Sequence, residues 1–79
     1  MTLRPAWVLY SKHDCPLCEE VVERLRQLNI PVEVRDIRSR LDWFERYRER
    51  VPVVVLPGGQ EQDPPFTDAE LKSWSANYR

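Results

Sequence analysis

The chain has 79 residues, a formal net charge of −1, and 42% hydrophobic and 32% charged residues, a profile typical of one small folded domain. This near-zero charge argues against nucleic acid or an anionic membrane as a partner. The longest apolar runs, around residues 7–10 and 51–56, are far shorter than the roughly 20 residues of a membrane span. Only five residues precede the first strand-like run, too few for a secretory signal. We therefore expect a single domain over residues 1–79, cytoplasmic and monomeric.

The first half of the chain predicts a β-α-β unit. An apolar, aromatic run over Ala6–Ser11 predicts a strand. From Pro16 to about Leu28, apolar residues recur at spacings of three and four, which predicts a helix that begins at the proline. The segment Pro31–Ile37 alternates apolar and charged residues, as half-exposed edge strands do. Strands joined by a helix in this way are expected to be parallel.

The second half predicts a helix, a central strand and a turn. The helix is expected over about Ser39–Glu49, with its apolar stripe at Leu41, Phe44 and Tyr47. Pro52–Leu56 follows as a strongly apolar strand, and Pro57–Gly59 turns the chain.

A weak strand over Gln60–Gln62 and a final helix complete the chain. Thr67 is the predicted cap of that helix, because Glu70 stands three residues later in a capping box. Leu71, Trp74 and Tyr78 are expected on the buried face of this helix. The predicted order is therefore β-α-β-α-β-β-α.

The only two cysteines, Cys15 and Cys18, lie where the first strand gives way to the first helix. Cys15 is the predicted N-cap residue, where free backbone N–H groups and the positive end of the helix dipole favour a thiolate. Acidic neighbours oppose this effect and Lys12 and His13 support it. Cys18 falls on the apolar stripe of the helix and is expected to be buried. Position therefore predicts a nucleophile at Cys15 and a resolving thiol at Cys18.

Other uses of the pair are weaker. A structural zinc ion usually needs four ligands, and two cysteines with one histidine supply three, so no metal site is expected. A disulfide would close too short a loop to restrict the unfolded chain much, and a reducing compartment disfavours it. Two inert core cysteines stay open as an alternative.

The run VLYSKHDCPLC, residues 8–18, resembles the active-site segment of glutaredoxins, in which Tyr-Ser-Lys precedes Cys-Pro-Tyr-Cys. Val51 and Pro52 resemble their Thr-Val-Pro segment, whose proline is cis and faces the active site. The matches span nearly the whole chain in order. They imply an α/β fold of the thioredoxin-like, glutaredoxin type, with a central mixed four-stranded sheet and helices on both faces.

This resemblance implies a thiol–disulfide oxidoreductase with no intrinsic cofactor. Its substrate would be a disulfide-containing protein or glutathione, and glutathione or a reductase would recycle it. By analogy, the Val51 backbone pairs with an extended substrate beside Cys15, and Pro52 shapes the surface. The residues predicted to bind substrate are Lys12, Leu17, Val51, Pro52, Thr67 and Asp68.

The chain also departs from the glutaredoxin pattern. Residues 60–71 contain no glycine, whereas glutaredoxins have a second glycine pair there, and Thr67 and Asp68 are the expected substitutes. Leu17 replaces the usual tyrosine. The six arginines of residues 35–50 are interleaved with acids and predict a solvated face. Arg50, in place of the usual threonine, is the candidate among them for binding an anion.

Two further functions stay open on the sequence. One is a non-catalytic adaptor that binds a partner beside Pro52, and the other is a dimer that bridges an iron–sulfur cluster through Cys15 and two glutathiones.

Overall fold

A computed structural model describes residues 7–77 of the chain. Its elements in chain order are β1 (Trp7–Ser11), α1 (Pro16–Gln27), β2 (Val32–Asp36), α2 (Leu41–Tyr47), β3 (Val53–Val55), β4 (Glu61–Gln62) and α3 (Asp68–Asn77). A short 3₁₀ turn over Ile37–Ser39 joins β2 to α2. The predicted order of strands and helices is confirmed. Two expectations, Ala6 in β1 and Tyr78 on the face of α3, lie outside the described residues. Within residues 7–77, no helix is long and apolar enough to cross a membrane.

The four strands form one mixed sheet in the order β2-β1-β3-β4. β2 is an edge strand parallel to β1, as predicted. β3 runs antiparallel to β1 with Tyr10 opposite Val53, and β4 runs antiparallel to β3 with Val55 opposite Glu61. Because β1 and β3 run in opposite directions, the last residues of β1 and the first residues of β3 lie side by side at the same end of the sheet.

Helices α1 and α3 cover one face of this sheet. Trp7 and Leu9 of β1 pack there against Leu25 of α1 and Leu71 of α3, all almost fully buried. The ring of Phe66, just before α3, meets the ring of Trp74 edge to face at 5.9 Å. This face holds the larger of the two apolar clusters and fixes α1 on the sheet.

Helix α2 covers the opposite face. Tyr10 of β1 stacks on Tyr47 with ring centroids 4.2 Å apart, and Trp43 meets Tyr10 edge to face at 5.5 Å. Ile37 and Val53 complete this cluster. The expected arrangement of helices on both faces of a mixed sheet is confirmed.

The ends of α1 follow from local sequence. Pro16 is its first residue, as predicted, and Cys15 precedes it as the cap. Asn29 takes a left-handed conformation, φ 59°, which asparagine tolerates better than most residues. The N–H group of Ile30 then reaches the carbonyl of Leu25 at 3.0 Å. The helix therefore stops here and the chain turns toward β2.

Several boundaries differ from prediction by one or two residues. α2 ends at Tyr47, whose carbonyl accepts the N–H groups of Arg50 and Val51 at 2.8 and 3.0 Å, so the chain turns before the proline. β3 begins after Pro52, which has no N–H to donate to a ladder. β2 ends at Asp36, which caps the 3₁₀ turn through a 2.9 Å bond from the Arg38 N–H.

The prediction for Leu41 in the apolar stripe of α2 is wrong. Its side chain is 72% exposed. Leu41 is the first residue of a seven-residue helix, and Trp43 rather than Leu41 contacts Tyr10 on the sheet.

Candidate active site

The cysteine pair lies where β1 leads into α1. In the loop between β1 and α1, Asp14 adopts a left-handed backbone conformation with φ 61°, one that aspartate tolerates better than most residues. Cys15 then becomes extended, φ −111° and ψ 100°, and occupies the N-cap position that the sequence predicts. Its carbonyl accepts the N–H group of Glu19 at 3.2 Å, closing the first turn of the helix.

The two thiols have different surroundings. The Sγ atom of Cys15 is half-buried and accepts a hydrogen bond from the backbone N–H of Cys18 at 3.2 Å. Cys18 is only 3% exposed and lies on the face of α1 that also buries Val21 and Leu25. Both cysteines are free thiols. The predicted capping role of Cys15 and the predicted burial of Cys18 are both confirmed.

The environment of Cys18 keeps its thiol protonated at neutral pH. Burial and a hydrogen bond with the Cys15 side chain raise the pKa of Cys18 to about 12, against the opposing effect of the Lys12 backbone. A proton must therefore leave Cys18 before it can act as a nucleophile.

A cis peptide bond joins Val51 to Pro52 at the end of the sheet where β1 leads into the Cys15 loop, as the resemblance implies. Pro52 is buried and Val51 is half-buried. Because Tyr10 pairs with Val53, the residues that follow β1 lie beside the residues that precede β3. The fold therefore brings Val51 and Pro52 to the end of the sheet from which the Cys15 loop leaves. A second cis bond, between Pro64 and Pro65, was not predicted.

Lys12 and Leu17, two of the predicted substrate-binding residues, are exposed on either side of Cys15 in the chain. A groove of about 560 Å³ lies between the β1–α1 loop, α1 and β2. Its lining residues include Lys12, Asp14, Cys18, Glu19, Val34 and Asp36. Two cations, Lys12 and Arg26, share this groove with four carboxylates, those of Asp14, Glu19, Glu23 and Asp36. His13 is exposed, as expected, and lies 3.4 Å from Asp14.

Thr67 and Asp68, the other predicted substrate-binding residues, make contacts within the chain. The N–H and hydroxyl groups of Thr67 both donate to Glu70 Oε1 at 3.1 Å, and Thr67 Oγ1 accepts the Glu70 N–H at 3.1 Å, the predicted capping box. Asp68 lies 3.6 Å from Arg24, in the last turn of α1, whereas Cys15 caps the first turn.

Arg50 belongs to an ion-pair cluster that the sequence did not predict. Its guanidinium donates to Asp63 Oδ1 at 2.8 and 3.2 Å and to Glu61 Oε1 at 2.9 Å. Arg46 and the hydroxyl of Tyr47 reach the other oxygen of Glu61 at 3.1 and 2.7 Å. These five residues, Arg46, Tyr47, Arg50, Glu61 and Asp63, are here called the Arg50 cluster. The sequence offered one signal for it, the weak strand predicted over Gln60–Gln62, which contains Glu61.

The Arg50 cluster shifts the ionisation of its members. Hydrogen bonds to Asp63 and Glu61 raise the pKa of Arg50. Burial alone would raise the pKa of Glu61, but hydrogen bonds from Tyr47 and Arg50 lower it. Burial and the bond to Glu61 raise the pKa of Tyr47 to about 12. Arg50 and Glu61 are therefore held charged, and Tyr47 neutral, at neutral pH.

A mixed four-stranded sheet between helices, with a cysteine pair at the start of α1 and a cis-proline beside it, defines a thioredoxin-like protein. The sequence profile of the glutaredoxin-like domain (DUF836) matches residues 7–75, and the chain belongs to this family.

Solved structures agree with this assignment. The X-ray structure of the structural-genomics target XcR50 from X. campestris is 34% identical, with a TM-score of 0.81 over 91% of this chain and 97% of that one. The solution structure of XcR50 gives a TM-score of 0.79 over 91% and 94% of the two chains. Protein Ne2328 from Nitrosomonas europaea is 27% identical, with a TM-score of 0.72 over 100% and 98%.

Proposed function

We propose that this protein is a thiol–disulfide oxidoreductase that reduces the disulfides of proteins or of glutathione in the cytoplasm. The observation that carries the proposal is the hydrogen bond from the Cys18 N–H to Cys15 Sγ at the start of α1. A thiolate at this position is stabilised by that donor and by the helix dipole. Membership in the glutaredoxin-like family supports the same chemistry.

The proposed reaction uses the two thiols in sequence. The Cys15 thiolate attacks one sulfur of the substrate disulfide, so that a Cys15–substrate bond forms and the first substrate thiolate leaves and takes up a proton. Cys18 then loses its proton and attacks Cys15 Sγ, and the second substrate thiolate leaves. Two electrons thus pass to the substrate, and Cys15 and Cys18 end as a disulfide. An external thiol, glutathione or a reductase, restores the dithiol.

Replacing each cysteine with serine tests this order. Reduction of hydroxyethyl disulfide, a small neutral substrate, is followed with a dithiol as the electron donor. Cys15→Ser should abolish turnover because the attacking sulfur is gone. Cys18→Ser, incubated with the substrate in the absence of the dithiol, should retain the first step and accumulate a mixed disulfide on Cys15, which mass spectrometry detects as an adduct of one substrate half.

Two results would contradict the proposal. Full turnover by Cys15→Ser would exclude Cys15 as the nucleophile. A wild-type protein that consumes no disulfide, with both thiols still reduced after the assay, would favour the adaptor function instead. Circular dichroism of both variants serves as the control that the fold is retained.

A further inference from the structure

Arg50, the cation nearest to the cis-proline in the sequence, is already bound by carboxylates of its own chain. Arg50 directly precedes Val51 and Pro52, at the end of the sheet where the Cys15 loop begins. Its bonds to Asp63 and Glu61, 2.8 to 3.2 Å long, come from a side chain that is only 34% exposed. These carboxylates bind two of the three guanidinium nitrogens, Nε and Nη2, and neutralise the positive charge of Arg50. Arg50 is therefore poorly placed to bind an anionic substrate.

Two backbone N–H groups at the start of α3, those of Thr67 and Glu70, are also occupied by side chains of this chain. A helix N-terminus commonly binds anions through its free N–H groups, but here the Thr67 N–H and hydroxyl groups both donate to Glu70. Arg24, the nearby cation, pairs with Asp68 at 3.6 Å and with Glu20 at 3.2 Å. This position too is filled by carboxylates of the chain.

The charges closest to Cys15 in the chain are mostly negative. Asp14 precedes it, and Glu19 and Glu20 lie in the first turns of α1, all with exposed side chains. Lys12 and Arg26 are the opposing charges, and they line the same groove as four carboxylates, those of Asp14, Glu19, Glu23 and Asp36. An approaching carboxylate therefore meets net repulsion, and an approaching cation meets net attraction.

We propose that the redox site selects disulfides whose substituents are neutral or cationic and disfavours those that carry carboxylates, glutathione included. This inference rests on the proposed function and names the substrate class of the same site. The substrate class that fits is a disulfide in a protein segment with lysine or arginine nearby. Leu17, 45% exposed beside Cys15, offers such a segment an apolar contact.

Three small disulfides of different charge test the inference on the wild-type protein. They are cystamine, which is cationic, hydroxyethyl disulfide, which is neutral, and dithiodipropionate, which is anionic. Each rate is divided by the rate at which free mercaptoethanol attacks the same disulfide, which removes intrinsic reactivity. At low ionic strength we expect cystamine to exceed dithiodipropionate by about tenfold in this ratio, and salt should shrink the difference because it screens exposed charges.

A double substitution in the Arg50 cluster, Glu61→Gln with Asp63→Asn, tests the role of Arg50. Freed from its partners, Arg50 should raise the normalised rates with dithiodipropionate and with oxidised glutathione several-fold. The rate with hydroxyethyl disulfide in the same variant shows whether the site is intact. The matched control is Glu45→Gln with Glu49→Gln, which removes the same charge from two exposed carboxylates outside the Arg50 cluster. This control variant should leave the normalised rates with dithiodipropionate and oxidised glutathione unchanged.

The outcomes separate this inference from the proposed function. If hydroxyethyl disulfide is reduced but dithiodipropionate or oxidised glutathione reacts as fast as cystamine after normalisation, the inference is overturned and the oxidoreductase function stands. If no disulfide is reduced, the proposed function fails and the inference fails with it. Should the double variant unfold, the charge series on the wild-type protein still decides the question.

Discussion

The hydroxyl group of Tyr47 lies 2.7 Å from Oε2 of Glu61 and joins the last residue of α2 to the edge strand β4. The same carboxylate accepts bonds from Arg46 and Arg50. The ring of Tyr47 in turn stacks on Tyr10 in β1. One side chain thus connects α2, the central strand β1 and the two-residue β4.

Removing the Tyr47 hydroxyl should destabilise the protein while keeping its ring. Tyr47→Phe deletes a hydrogen bond to a charged, partly buried acceptor, and we expect the free energy of unfolding to fall by about 1–2 kcal/mol. The measurement is denaturant unfolding followed by tryptophan fluorescence.

Tyr10→Phe is the matched control for this change. It deletes the same atom, but the Tyr10 hydroxyl only accepts a 3.1 Å bond from Arg35, which also binds Glu33 and lies over the rings of Tyr10 and Trp43. The loss should be smaller. An equal or larger loss for Tyr10→Phe would contradict the role assigned to the Tyr47–Glu61 bond.

Stability should fall at both ends of the pH range for reasons found in this cluster. Glu61 has a lowered pKa in the folded protein, so its contribution is present above the ordinary carboxyl pKa and is lost as pH falls through the folded value. Tyr47 has a pKa raised to about 12. Its contribution is complete below the ordinary phenol pKa of about 10 and is lost as pH rises from there toward the folded value.

Unfolding midpoints measured across this range check both halves of the prediction. Glu61→Gln should flatten the acid side of the profile, because the group that titrates is gone. Tyr47→Phe should flatten the alkaline side. An unchanged slope in either variant would show that other residues dominate that limb of the curve.

How far the sequence predicts this protein depends on the range of the interaction. The bounds of α1, the cap at Cys15, the burial of Cys18 and the Thr67–Glu70 box were all predictable because they depend on residues three or four positions apart. The order of the elements followed from periodicity. The cis bond before Pro52 came from family resemblance, since local sequence carries only a weak preference for it.

The Arg50 cluster was not predictable in the same way. Arg50 meets Glu61 and Asp63 across sequence separations of 11 and 13 residues. Those contacts exist only because β4 folds back on β3 with Val55 opposite Glu61, and the signal for β4 is weak. The prediction for Leu41 is wrong for a related reason, because helical spacing does not say which residue of a short helix reaches the sheet. The neutralisation of Arg50 by Glu61 and Asp63 therefore became visible only in three dimensions.

The cap of α3 should contribute measurably to stability. Thr67→Ala removes the hydroxyl that accepts the Glu70 N–H, and loss of such a cap costs about 1 kcal/mol. The effect should reach the core, because Leu71 in the next turn is fully buried. Ser73→Ala, at an exposed position in the middle of α3, is the control, and it should be neutral or slightly stabilising because alanine favours helix. A loss as large at Ser73 as at Thr67 would rule out a specific capping effect.

The rate of the step carried out by Cys18 should keep rising with pH in the range where the rate of a surface thiol levels off. Burial is the first cause of its raised pKa of about 12, and burial persists when Cys15 is joined to a substrate. The thiolate fraction of such a group rises about tenfold per pH unit through the neutral range, and the resolving rate should follow it. Dithiodipyridine makes both steps visible, because the attack by Cys15 releases one coloured pyridinethione and the attack by Cys18 releases the second. The second release should accelerate continuously from about pH 6 to pH 9, and Cys18→Ser should show only the first. A second phase that levels off below about pH 8 would mean that Cys18 ionises like an ordinary exposed thiol, and that its burial does not control the resolving step.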